Sequence, residues 1–150
     1  MKLSDEVVIP APREKVWEAL NDPEVLKQCI PGCEEITKSS DTEMEARVTV
    51  KLGPVKATFK GAVTLSDLDP PNGYRISGEG KSMMGGATGG ANVRLTDAPE
   101  GTKLAYDVDA QVTGKIASLA QRFIEPTARQ LSQQFFETFA RIVGGEGETA

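Results

Sequence analysis

The sequence predicts an α+β fold in which a curved, seven-stranded antiparallel sheet wraps around one long C-terminal helix. Three observations carry this. From Glu34 to Thr113 apolar and polar residues alternate with a period of two, as in strands with one buried and one wet face. From Ile116 to Ile142 apolar residues recur at spacings of three and four, the stripe of a single helix. Between the first strand and the rest lie two short helical patterns, Arg13–Leu20 and Glu24–Cys29. At 150 residues the chain fits one domain with room for a core. That domain is expected over 1–143, with a flexible tail at 144–150.

Taken in order, the first strand runs from Lys2 to Ile9 and stops at Pro10-Ala11-Pro12, because proline cannot continue a ladder. Pro12 then opens a helix whose stripe is Val16, Trp17 and Leu20. Asn21-Asp22-Pro23 ends it and supplies a cap for the second helix, and Pro31-Gly32 turns the chain. In Glu43–Leu52 the inward set is Met44, Ala46, Val48, Val50 and Leu52. After a Gly53-Pro54 turn it is Val55, Ala57, Phe59, Gly61, Val63 and Leu65, and Pro70-Pro71-Asn72-Gly73 closes the hairpin. Further strands are expected at Tyr74–Ser82, Ala87–Thr96 and Thr102–Thr113. The last helix carries four of the five phenylalanines. Pro126 lies inside it and is expected to bend it near Arg122.

Composition excludes several functions. Histidine is absent, which removes the commonest general base, histidine-based triads and nearly all catalytic zinc sites. A net charge of −5 and a pI near 4.9 argue against a nucleic-acid binder. No run approaches the roughly 20 apolar residues of a membrane span, and Met1–Glu6 is not followed by a signal-peptide core. The expected location is the cytoplasm. Cys29 and Cys33 have neither redox C-x-x-C nor metal-site spacing, and read as buried or half-buried thiols.

The inward positions contain unusually many small residues: Ala46, Ala57, Gly61, Gly78, Gly80, Ala87, Gly89 and Ala91. Since interiors pack densely, this deficit of volume points to a cavity under the helix. The alternative is that the glycines let the sheet bend and the helix approach closely. Ser82-Met83-Met84-Gly85-Gly86 reads either as a mobile gate over such a cavity or as an ordinary hairpin. The carboxylate pairs Glu34/Glu35 and Asp107/Asp109 read as solvated surface. Asp5 shares a strand face with Leu3, Val7 and Ile9 and is the one acid that could point inward. Tyr106 points inward with Leu104 and Val108, so its hydroxyl needs a partner. Arg122, Arg129 and Arg141 on the last helix interleave with Glu125 and Glu137, a mixed solvated face.

The stretch Val8-Ile9-Pro10-Ala11-Pro12-Arg13-Glu14-Lys15-Val16-Trp17-Glu18-Ala19-Leu20 resembles the opening of the START/Bet v 1-like (SRPBCC, helix-grip) superfamily. More specifically, Asn21-Asp22-Pro23 with Cys29-Ile30-Pro31-Gly32-Cys33, Leu52–Gly61 and Ile116–Ile124 resemble the CoxG family of carbon monoxide dehydrogenase. The resemblance covers residues 1 to 143. It implies a hydrophobic tunnel between sheet and C-terminal helix. It also implies a non-catalytic accessory role beside a molybdenum-containing carbon monoxide dehydrogenase or related hydroxylase, in membrane association or delivery of a lipophilic electron acceptor.

On this reading the cargo is a lipophilic small molecule, a quinone or a lipid. The cavity is expected to be lined from the sheet side by Cys29, Phe59, Gly61, Gly78 and Tyr106. Met83 and Met84 are expected at its mouth, and Phe123, Thr127 and Leu131 along the helix. No catalytic residue, metal ligand, cofactor or nucleic-acid partner is expected. Peripheral contact with the inner face of the membrane and homodimerisation stay open. Two other functions fit the same fold, an aromatase/cyclase-like enzyme using Asp5, Tyr106 or a thiol, and a ligand-free adaptor.

Overall fold

A computed structural model describes residues 1–144; the expected tail at 145–150 lies outside the described residues. The elements are β1 (Lys2–Ile9), α1 (Arg13–Leu20), α2 (Pro23–Cys29), β2 (Cys33–Lys38), β3 (Glu43–Leu52), β4 (Val55–Asp69), β5 (Gly73–Ser82), β6 (Gly85–Ala98), β7 (Gly101–Val112) and α3 (Lys115–Val143). All seven strands form one antiparallel sheet in the order β1-β7-β6-β5-β4-β3-β2. The expected helix-grip architecture is therefore present.

Local chemistry explains the boundaries. Pro12 is the residue preceding α1 and has extended backbone angles, as a capping position requires. The Asp22 carboxylate accepts the Glu24 N–H at 2.9 Å, and Pro23 takes the first position of α2, where its missing N–H costs nothing. The buried Thr102 hydroxyl donates to the Ala11 carbonyl at 2.7 Å, tying the β1–α1 connection to the start of β7.

Two strands run further than the alternation alone indicates. β4 continues past Leu65 to Asp69 through an irregularity between Ser66 and Asp69. β6 starts at Gly85 instead of Ala87, because Gly85 and Gly86 pair with Ser82 and Lys81. Backbone pairing needs no side chain, so glycines hide a strand end from a hydrophobicity pattern.

Buried side chains form two clusters. The larger includes Ile9, Val16, Leu20, Leu95, Leu104, Phe139 and Val143, with Phe135 and Phe136 packed against it. It joins α1, α2 and the C-terminal half of α3 to the sheet. Trp17 reaches Tyr74 edge-on at 5.3 Å, a favoured aromatic geometry. The smaller cluster is Leu52, Ala57, Ile116 and Ala120, flanked by Phe59, Met84 and Phe123. It holds the start of α3 against the β3–β4 hairpin.

The break in α3 is at Ala120 (φ −125°, ψ 15°), not at Arg122 as the position of Pro126 suggests. Burial accounts for the difference. Ile116 and Ala120 are fully enclosed in the smaller cluster, and the Ile116 N–H donates to the Met84 carbonyl at 2.8 Å. These contacts orient the first turn, and the rest of the helix swings away to reach the larger cluster. Asp5 also departs from its expected inward role: it pairs across from Tyr106 on the edge strand and is exposed.

Candidate functional site

The concave face of the sheet carries an apolar groove of about 400 Å³. Its floor includes Ala46, Gly61, Gly78, Gly89, Ala91 and Ala110, with Phe59, Ile76 and Val108 standing higher among them. These are inward positions of β3 to β7, so period-two alternation brings them together. No residue of α3 is among those lining it.

The missing roof follows from how α3 is held. Its first turns are anchored by Ile116, Ala120 and Phe123, and its last by Phe135, Phe136, Phe139 and Val143. Between Phe123 and Phe135 no helix residue joins either buried cluster. The helix is thus fastened at two ends above a floor of small residues.

A second hollow of about 500 Å³ lies beside the first. Phe123, Pro126, Thr127, Gln130, Leu131 and Gln134 face Pro31, Gly32, Thr49, Val50 and Gly53 across it. Val48 borders the groove and Val50 the hollow, and these are successive inward residues of β3. A third hollow of about 490 Å³ on the outer face is lined by Glu45, Arg47, Lys60, Glu79 and Lys81 among others. Its alternating charges make a solvated face.

The ten expected cavity residues are divided by this geometry. Phe59, Gly61 and Gly78 line the groove; Phe123, Thr127 and Leu131 line the hollow. Cys29 is buried in the larger cluster and Met84 packs against the smaller one. Tyr106 is buried and stacks on Phe136 with ring centroids 5.1 Å apart. Met83 belongs to neither space. It sits at the tip of the β5–β6 turn with 102 % relative exposure, because consecutive residues at a tight turn point opposite ways and Met84 takes the inward direction.

The glycines turn out to serve both expected purposes. A Cβ on Gly61 would lie 2.7 Å from the Glu79 carbonyl oxygen, and one on Gly89 2.9 Å from that of Asp109. At these two positions close backbone approach excludes a side chain. A Cβ on Gly78 or Gly80 would meet nothing nearer than 3.3 Å, so there the glycine leaves open space.

Sequence reasoning passed over Pro31, Gly32, Gly53, Gln130 and Gln134. A signal existed for the turn glycines. Gly32 and Gly53 have φ of +79° and +61°, and a Cβ on Gly53 would fall 2.5 Å from the Phe123 ring. Both turns therefore pass close to other parts of the chain.

The titratable groups near the groove favour their neutral forms. Burial pushes the Cys29 thiol up to about 11, partly offset by Arg141. Burial also raises the Cys33 thiol and the Tyr106 phenol, the latter helped by the Asp5 carboxylate and opposed by Ser132 and Arg129. Both cysteines are free. Among the described residues no cluster of three or more His, Cys, Asp or Glu could hold a metal ion, and no described helix is long and apolar enough to cross a membrane.

A groove of this kind can hold an uncharged, flat or chain-like molecule by contact with apolar atoms. It offers no charged anchor. Glu79, the one titratable residue on its border, is exposed and also lines the outer face.

Solved structures share this architecture. A conserved protein from Geobacillus kaustophilus matches with a TM-score of 0.88 at 25 % identity, covering 95 % of each chain. The Zhui aromatase/cyclase from Streptomyces sp. R1128 matches with a TM-score of 0.68 at 15 % identity, covering 97 % of this chain and 94 % of that one. Ara h 8.0201 matches with a TM-score of 0.67 at 18 % identity, covering 95 % and 97 %. At such identities the last two show the fold alone. No curated protein matches the chain by sequence. The model of one family, CoxG of carbon monoxide dehydrogenase, matches residues 6–144. With its motifs, its gripped helix and its apolar groove in agreement, the chain belongs to the carbon monoxide dehydrogenase CoxG family.

Proposed function

We propose that this protein is a non-catalytic carrier that holds a lipophilic small molecule, a quinone or a lipid, in the groove between the sheet and α3. It would act in the cytoplasm as an accessory to a molybdenum-containing, carbon monoxide dehydrogenase-like enzyme, assisting its electron delivery or its association with the membrane. One observation carries the reading: an apolar floor of small residues beneath a helix fastened only at its ends. Dense packing is the norm in interiors, so a groove of about 400 Å³ lined by apolar atoms has the size and chemistry of a small-molecule site. The family name ties the chain to carbon monoxide dehydrogenase, which supports an accessory role.

The test is organic extraction of protein purified from its native host, followed by mass spectrometry. A quinone or lipid at one per chain supports the carrier. An extract empty of both, together with no uptake of added quinone, sinks it. Turnover of a polyketide-like substrate lost in Tyr106→Phe would instead favour a cyclase-like enzyme.

A further inference from the structure

The net charge of −5 is unevenly distributed. The β3–β4 turn, the β5–β6 turn and the first turns of α3 meet at one end of the sheet. There the Met84 carbonyl accepts the Ile116 N–H at 2.8 Å and Gly53 abuts Phe123. The segments that build this end are Lys51–Lys56, Lys81–Gly86 and Thr113–Phe123. They contain Lys51, Lys56, Lys81, Lys115 and Arg122 and not one carboxylate. All five cations are exposed, and none is in an ion pair among the described residues. The turns at the opposite end carry Asp41, Asp67, Asp69, Asp97 and Glu100.

Two apolar side chains stand among the cations. Met83 is wholly exposed at the tip of its turn, and Leu119, one turn beyond Ile116, is 59 % exposed. A folded chain gains nothing by presenting a methionine to water at a hairpin apex. The hollow lined by Lys51, Gly53 and Phe123 borders the same end.

We propose that this end of the molecule docks on an anionic lipid bilayer, with the five cations at the headgroups and Met83 entering the apolar layer. Charge complementarity requires an anionic occupant. A bilayer is favoured over an acidic protein because the surface is made of projecting hairpin tips and a helix start, with an unsupported apolar apex. Such a shape enters a deformable layer and gives a folded partner no recess to fill. The purpose assigned to the surface, exchange of cargo with the membrane, rests on the carrier reading.

Co-sedimentation of the full chain with phosphatidylcholine vesicles, with and without phosphatidylglycerol, tests it. Binding is expected only with phosphatidylglycerol, weakening as salt shortens the Debye length from about 10 Å at 0.1 M to about 3 Å at 1 M. Each cation near an anionic surface strengthens binding about fivefold. Lys51→Gln combined with Lys56→Gln should therefore bind about 25-fold more weakly. Met83→Ser should lose about tenfold, the loss expected for partly burying a methionine, and keep the salt dependence. No binding, equal binding to both vesicle types, or full binding by the double variant would overturn the proposal. The two readings fail separately. Protein that carries cargo but ignores vesicles refutes this surface alone, and protein that binds vesicles but never holds cargo refutes the carrier alone.

Discussion

Tyr106 on β7 and Phe136 on α3 stack at 5.1 Å between ring centroids with 24° between their planes. Phe136 in turn meets Phe135 edge-on at 4.9 Å, and Phe135 stacks on the fully buried Phe139 at 5.7 Å. This chain of rings fastens the C-terminal half of the helix to the sheet.

Removing the middle ring should loosen that end. Phe136→Ala is expected to cost about 2–4 kcal/mol of unfolding free energy, from lost burial and lost stacking. Urea denaturation followed by circular dichroism measures it. A cost below about 1 kcal/mol would mean that the helix is held elsewhere.

At the other end, Gly53→Ala should be destabilising for two separable reasons. The residue has φ +61°, costing a non-glycine about 1 kcal/mol, and its new methyl would meet the Phe123 ring. A double-mutant cycle with Phe123→Ala should recover the steric part and leave the backbone part. Strict additivity would show that turn and helix are not in contact.

Filling the groove calls for positions that tolerate a side chain. Ala91→Leu should fold and lower the uptake of a fluorescent lipophilic probe at least several-fold. Gly61→Leu should lose stability first, since even its Cβ collides with the Glu79 carbonyl. Unchanged probe uptake by folded Ala91→Leu would place the probe outside the groove.

The Cys29 thiol supplies a pH signature. Its ordinary value is 9.0 and burial raises it to about 11. A thiol with a raised folded pKa stabilises the protein while protonated. Its contribution is complete below pH 9 and disappears as pH rises through 11. Over that window wild type should lose about 2 kcal/mol relative to Cys29→Ala, read from denaturant midpoints. Parallel curves would show that the thiol stays solvated.

Much of the fold was legible because alternation and helical spacing report directly on burial. The inward set Met44, Ala46, Val48, Val50 and Leu52 appears in the structure as read, and so does the cap at Asp22. What stayed hidden depended on distant parts of the chain. The break at Ala120 arises from how deeply Ile116 is buried against β3 and β4, which no local rule about Pro126 contains. The site was legible as a deficit of volume, visible in Gly78 and Ala91. Its division into a groove and a hollow was not, because that depends on where the helix stands above the sheet. Met83 and Met84 are identical in type, and only the direction of a turn separates a core residue from an exposed one.

The two-point fastening of α3 has a consequence for selectivity. The stretch Ile124–Gln134 runs for roughly 16 Å at the helical rise with no residue in either buried cluster. It behaves like the deck of a bridge whose abutments are Phe123 and Phe135. A guest sliding beneath it is gauged by its thickness, since clearance under the deck is limited. Its length is not gauged, since no wall closes the passage along the strands. Homologous molecules with one flat head and tails of different extent should then be accepted alike, while a bulky, three-dimensional ring system is turned away.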